Sequence, residues 1–363
     1  MRTVEIESRE EFDEAAAHAA SLTGWRVQDV DLRGYGDVLA HLDVAGSLFL
    51  GCYLDDPVAD DLRERGALVF PRLPQVPFDP YRGGLYTPDE LYAGLCTDGT
   101  SYEQTPDAVV YAWSRQRDPD LVRTLATALH DHSIDDALAE FVRGRRLVGV
   151  MGGHALKRGE QEYADAARLG RALARAGLVV ATGGGPGAME AANLGAYLAG
   201  EQDAALPEAL EMLSRAASFR PSVGPWAAAA FEVRRRWPAA DGSPEGLGVP
   251  TWFYGHEPPN AFASRIAKYF KNAIREDVLL HCCNAGIVFL PGSGGTVQEI
   301  FQDACENYYA DPGSVRPMVL VGAEYWTSRL PVWPLLESLA RQRAMSSAIH
   351  LVDDVSAVAP LLS

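Results

Sequence analysis

The chain is predicted to be an α/β protein, a doubly wound parallel sheet preceded by a smaller α/β domain, and three observations predict it. Short apolar runs alternate with stretches of helical period along most of the sequence. Two of those runs, Leu178-Val179-Val180-Ala181 and Ala285-Gly286-Ile287-Val288-Phe289-Leu290, end in glycine-rich turns that pass straight into a helical pattern. Those runs are apolar throughout rather than alternating, as strands buried on both faces are.

The 363 residues suffice for two domains, and 47% hydrophobic with 22% charged residues is ordinary for a globular chain. With 32 Lys plus Arg against 49 Asp plus Glu, the net charge of -17 excludes general affinity for nucleic acid or an anionic membrane surface. Any phosphate must therefore be gathered locally. Cys52, Cys96, Cys282, Cys283 and Cys305 form no C-x-x-C pair and are odd in number, which reads as reduced thiols and a cytoplasmic setting. The acidic start Met1-Arg2-Thr3-Val4-Glu5-Ile6-Glu7 is no signal peptide, and no apolar run reaches bilayer length. No membrane partner is expected.

The N-terminal domain is expected over residues 1–143. Ala45 to Leu50, Pro57 to Arg65 and Ala67 to Phe70 read strand, helix, strand, and the turn between the first two lacks the glycines needed to cradle a phosphate. Prolines recur from Pro71 to Pro80 and enforce an extended segment. Thr87-Pro88-Asp89-Glu90 starts a helix with an N-cap threonine, proline at the first helical position and a glutamate completing the box, and Thr105-Pro106-Asp107 reads similarly. His130-Asp131-His132 invites a metal reading, but His130 and His132 point to different faces of a helix, so a polar face is the better account. No metal is expected there.

The second domain, residues 144–363, opens with the strand Leu147 to Met151 and the turn Gly152-Gly153-His154. A helix from about Glu160 to Ala176 stops at Gly177, and the strand Leu178 to Ala181 then enters Thr182-Gly183-Gly184-Gly185-Pro186-Gly187-Ala188-Met189-Glu190. A third turn, Pro291-Gly292-Ser293-Gly294-Gly295-Thr296-Val297-Gln298-Glu299, follows the strand ending at Leu290. All three lie at carboxyl ends of strands, where doubly wound sheets bind ligands, and a glycine turn opening a helix draws anions, above all phosphate. Thr296 and Glu299 also fit a T-x-x-E capping box, so a cap and an anion site both account for them at this level.

Neighbouring motifs fit less well. Gly183-x-Gly185-x-x-Ala188 fits the dinucleotide fingerprint in form, but Glu201 and Asp203 follow a helix, not the second strand whose acidic end would hold the ribose of NAD. No glycine run carries the Lys-Ser/Thr of a P-loop. The lysines are Lys157, Lys268 and Lys271, none on a recognisable pyridoxal phosphate motif.

Together, Gly183 to Asn193 and Pro291 to Glu299 resemble the LOG (lonely guy) family of phosphoribohydrolases and the related nucleotide 5′-monophosphate nucleosidases, a family often labelled "possible lysine decarboxylase". The resemblance spans roughly residues 145 to 355. It implies a Rossmann-like fold, a homodimer or higher homo-oligomer, no cofactor, and hydrolysis of the N-glycosidic bond of a nucleoside 5′-monophosphate to free base and ribose 5-phosphate. The family pattern P-G-G-x-G-T-x-x-E maps onto Pro291 to Glu299 with Ser293 at the second glycine, which serves if its φ is negative. Glu299 is then the catalytic glutamate and Arg275, on the preceding helix, the catalytic arginine. The phosphate and substrate wall is Gly152, Gly153, Gly183, Gly184, Gly185, Met189, Glu190, Gly292, Ser293, Gly294, Gly295 and Thr296.

A single helix over Phe262 to Arg275 would set Phe262, Ile266, Phe270 and Ile274 on one face and Arg265, Lys268, Lys271 and Arg275 on the other. That second face is either a solvated basic stripe or a means of recruiting an anionic substrate. Residues 198–250 read as an insertion containing Arg234-Arg235-Arg236, a solvated charge run, after which Val249 to Tyr254 resumes the sheet. Met318 to Val321, a helix near Leu335 to Arg343 and the strand Ile349 to Val352 complete the domain. The alternative function is a nucleotide-binding or sensing protein without turnover, since a Glu299 with an arginine partner is what binding alone does not need.

Overall fold

The structure, a computed structural model, describes residues 4–73, 76–95, 101–116, 120–240, 242–253 and 257–362. Cys96 and Tyr254 lie outside the described residues. The chain divides into two compact units, Met1–Gly84 with Arg117–Ala137, and Leu85–Gln116 with Leu138–Ser363. Residues 85–116, which the sequence groups with the N-terminal part, pack within the second unit.

In the first unit β1 (Val4–Ile6), α1 (Arg9–Ala16), β2 (Trp25–Gln28), α2 (Gly36–Ala40), β3 (Leu48–Leu50), α3 (Asp56–Glu64) and β4 (Leu68–Phe70) follow one another. The strands form a parallel sheet in the order β1-β2-β3-β4. The strand-helix-strand reading of residues 45–70 thus sits in a larger repeat, with Phe12, Val27, Phe49 and Leu62 in its core.

Helices α4 (Pro88–Leu91), α5 (Pro106–Ser114) and α6 (Leu121–Val142) come next. Thr87 and Thr105 cap α4 and α5 by accepting from the N–H of Glu90 and Ala108. His130 is buried and His132 exposed, as opposed helix faces require, and no group of three or more His, Cys, Asp or Glu side chains placed to hold a metal ion occurs among the described residues.

The second unit is built on β5 (Leu147–Met151), α7 (Gln161–Arg175), β6 (Val179–Thr182), α8 (Ala188–Tyr197), α9 (Ala205–Ser214), α10 (Val223–Arg236), β7 (Gly246–Gly248), β8 (Arg265–Ile266), α11 (Asn272–Cys282), β9 (Ile287–Phe289), α12 (Gly294–Tyr309), β10 (Met318–Val321), α13 (Trp333–Ala340) and β11 (Ile349–Val352). Its strands are all parallel in the order β11-β10-β9-β5-β6-β7-β8. From β5 the chain moves outward to β6 and later returns to β9 on the other side. The crevice beyond the carboxyl ends of β5 and β9 is therefore the topological switch point, where such sheets bind ligands. The residues of β5, β9 and β10 are all buried. This is the Rossmann-like, doubly wound fold.

Three local readings are corrected. The sheet resumes at β7, earlier than Val249, because a Gly-Leu-Gly strand carries almost no apolar signal; its glycines are needed for space, since a Cβ on Gly248 would lie 3.0 Å from the Cα of Gly184. Arg265 and Lys268 do not share a helix with Arg275: Arg265 is on β8, and Lys268 precedes α11, buried in an ion pair with Asp107. Within residues 198–250, α9 and α10 place Leu206, Ala209, Leu213, Ala230 and Val233 in the main core, while Arg234 and Arg236 pair with Asp89 and Glu208.

Helices α7 and α8 touch backbone to backbone. A Cβ on Gly170 would stand 2.0 Å from the Ala192 carbonyl oxygen, and one on Gly195 would stand 1.9 Å from that of Ala167.

Candidate active site

The loops after β5, β6 and β9 meet at the switch point. Gly153 N–H donates to the Pro291 carbonyl at 3.2 Å, and Ala188 N–H donates to the Gly153 carbonyl at 3.1 Å, so each loop is tied to the next. Gly187 adopts φ 75, and a Cβ there would lie 2.4 Å from the Gly153 oxygen, so the contact between loops requires glycine. Two buried asparagines fix the second loop. Thr182 Oγ1 accepts from Gly184 N–H and donates to Asn193 Oδ1, while Asn260 donates to Asn193 Oδ1 and to the Gly185 carbonyl.

Between the loops lies a cavity of about 310 Å³. Of the residues predicted from sequence, Gly152, Gly153, Gly183, Gly185, Met189, Ser293, Gly295, Thr296, Arg275 and Glu299 line it. Gly184, Glu190, Gly292 and Gly294 do not. Gly184 is turned against Val249 and Pro250, and Gly292 is packed beneath Thr296. Glu190 faces away: Arg158 Nε donates to its Oε2 at 3.0 Å and Tyr163 Oη donates to the same atom at 2.9 Å, all three side chains being buried. The third residue of α8 faces α7 and the loop before it, which takes Glu190 out of the wall.

Helix α12 begins at Gly294 with Ser293 as its cap residue at φ -118 and ψ -144, without a side-chain cap bond. The negative φ is the condition under which serine serves in place of glycine. The T-x-x-E box is not formed, because Thr296 and Glu299 both lie inside the helix. The first N–H groups of α12 have no acceptor within the helix, and the cavity wall at Ser293, Gly295 and Thr296 is where they begin.

Glu299 is nearly buried, and its Oε1 lies 3.9 Å from Arg275 Nη1. Burial pushes its carboxyl up to about 7; the Arg275 charge pulls it down and Glu276 pushes it further up. Arg275 is held more tightly elsewhere: Nη2 is 3.2 Å from Glu276 Oε1 and 3.1 Å from Asn272 Oδ1. Glu276 also accepts from Gln298 Nε2 at 2.6 Å.

Sequence reasoning missed Glu276, Gln298, His154 and Glu257, which all line the cavity. Glu276 and Gln298 were legible in principle. Each adjoins a predicted catalytic residue, and α11 and α12 are neighbours. His154 and Glu257 form a pair at 3.3 Å, and no spacing signal joins residues so far apart in the chain.

Residues 145–203 match the model of the SLOG cluster4 family. Among solved structures, the chain is similar to the molybdenum cofactor binding protein of Rippkaea orientalis, at 15% identity and TM-score 0.36, covering 61% of this chain and 96% of that one. It is likewise similar to the Moco carrier protein of Chlamydomonas reinhardtii, at 20% identity and TM-score 0.36, covering 60% and 98%. No curated protein matches the chain. The likeness to the SLOG cluster4 family is carried by residues 145–203, which hold β5, α7, β6 and α8 with the first two glycine turns of the cavity.

Proposed function

We propose that the cavity hydrolyses the N-glycosidic bond of a nucleoside 5′-monophosphate to free base and ribose 5-phosphate. The observation that carries this reading is a nearly buried glutamate facing an arginine, Glu299 and Arg275, in one cavity with the N-terminus of α12 and the turns at Gly152-Gly153 and Gly183 to Gly185. The helix N-terminus would take the 5′-phosphate, whose charge suits the unpaired N–H groups and the dipole. Departure of the base builds positive charge on the ribose. An ionised Glu299 would stabilise that charge and take a proton from the attacking water. Its carboxyl, raised to about 7, would be partly ionised at neutral pH and able to act as a base there. Arg275 would hold the ionised form.

A second reading, nucleotide binding without turnover, draws on the engagement of Arg275 by Glu276 and Asn272, which leaves Glu299 the more distant partner. One assay separates them. The protein is incubated with purine and pyrimidine 5′-monophosphates, and free base and ribose 5-phosphate are measured by chromatography. Release that is lost in Glu299→Gln supports hydrolysis; no release from any nucleotide overturns it. We also propose a homo-oligomer, to be tested by sedimentation.

A further inference from the structure

The loop between β6 and α8 passes the side chains of Arg275 and Glu257 and then the backbone of His154. A Cβ added to it would stand 3.4 Å from Arg275 Nη1 at Gly183, 3.4 Å from Glu257 Oε2 at Gly185 and 2.9 Å from the Cα of His154 at Gly187. Arg275 and Glu257 thus face the loop at Gly183 and Gly185, and both line the main cavity. Beyond them His154 lines both the main cavity and a second one of about 180 Å³, walled by Pro186, Gly187, Phe219 and Trp226. His154 Nδ1 lies 3.3 Å from Glu257 Oε1, and the two side chains are 49% and 38% exposed. With Nδ1 engaged by a carboxylate, Nε2 is the nitrogen free to meet a ligand.

Resting on the nucleoside monophosphate reading, we propose that His154, oriented by Glu257, is the proton donor to the leaving base. The main cavity holds Glu299 and Arg275 for the sugar and its attacking water. A base leaving that sugar needs a proton, and His154 stands at the opening into the second cavity. In the step, the C1′–N bond breaks and its electron pair goes to the base nitrogen, which takes the Nε2 proton of the imidazolium. Water forms the new C1′–O bond and gives its proton to Glu299. Exchange with solvent returns a proton to His154 and removes one from Glu299, so the sum is nucleotide plus water giving base plus ribose 5-phosphate. No oxidant or other co-reactant is needed.

The test compares nucleotides with 4-nitrophenyl β-ribofuranoside 5-phosphate, whose leaving group departs without a proton. His154→Gln should lose about 100-fold or more in kcat on nucleotides, the usual worth of a general acid, and under about 3-fold on the nitrophenyl substrate. Glu257→Gln should show the same split, smaller. The other titratable groups lining the main cavity are Glu257, Arg275, Glu276 and Glu299, and those of the second are Lys157, Arg158, Glu190 and Arg220. Equal losses on both substrates, or nucleotide turnover within about 3-fold of wild type, overturn the proposal while leaving the hydrolase reading intact. If the wild-type protein releases base from no nucleotide, that reading fails and this proposal falls with it. If it hydrolyses nucleotides alone, 7-methylguanosine 5′-monophosphate, whose cationic base leaves without a proton, replaces the nitrophenyl substrate, and equal losses in His154→Gln on it and on guanosine 5′-monophosphate overturn the proposal.

Discussion

Arg275 stands closer to Glu276 than to Glu299, at 3.2 Å against 3.9 Å, so one guanidinium is shared between two carboxylates of the same cavity. Glu276 acts on Glu299 through space, adding to the rise that burial causes. Glu276→Gln removes that charge and frees Arg275, and both changes favour ionised Glu299. The limb of the pH-rate profile that rises as Glu299 ionises should therefore move from near pH 7 to lower pH, read from kcat/KM between pH 5 and 9. A limb that stays in place would show that Glu299 does not sense Glu276.

Asp303, on α12, is buried, and its Oδ2 has no hydrogen-bond partner. Burial first, then the charge of Glu306, push its carboxyl up to about 8. A raised acid binds its proton more tightly folded than unfolded, so its contribution to stability is full below the ordinary value of 3.8 and is lost as pH rises to about 8. Wild type should lose a few kcal/mol across that window relative to Asp303→Asn, which has no proton to give up. Thermal unfolding at pH 5 and pH 8 measures it; a gap between the two proteins that does not widen refutes it.

Lys268 and Asp107 form a buried ion pair, with Tyr102 Oη and Trp252 Nε1 also donating to Asp107. Lys268→Met leaves Asp107 without its cation and should cost about 3–5 kcal/mol, read as a lower denaturant midpoint. Adding Asp107→Asn should recover part of the loss, since the charge left behind causes most of it. Thr251 of the cavity wall bonds Tyr269 on the same segment, so the single variant should raise KM as well.

Gly195→Ala tests the helix contact. Alanine gains about 1 kcal/mol of helix propensity, yet its Cβ would meet the Ala167 carbonyl at 1.9 Å and the Arg171 nitrogen at 2.7 Å, both backbone atoms. Backbone cannot rotate aside, so the clash should win and the variant should lose about 2–3 kcal/mol, measured by chemical denaturation.

The strands of the second unit were legible because β5, β6, β9 and β10 are buried apolar runs, and the glycine turns placed the cavity at their ends. β7 was not, because Gly246 and Gly248 are chosen for proximity to Asn193 and Gly184, a tertiary demand without local pattern. The apparent helical stripe from Phe262 to Ile274 failed similarly: Phe262 and Ile266 are buried as parts of a loop and the edge strand β8, where 3.6-residue spacing is coincidence. The resemblance to the LOG family pointed to Arg275 and Glu299, which line one cavity, whereas His154 and Glu257 meet only because separate loops converge.

The backbone contact of α7 with α8 reaches further than the stability of two helices. The loop before α7 carries Gly152 to His154, and α8 is entered directly from Gly183 to Gly187, so clamping the two helices at Gly170 and Gly195 also clamps these two loops to each other. They are ordered by folding, before any ligand arrives. A nucleotide would then meet a preformed cleft, and its affinity would carry little penalty for conformational entropy on the protein's side.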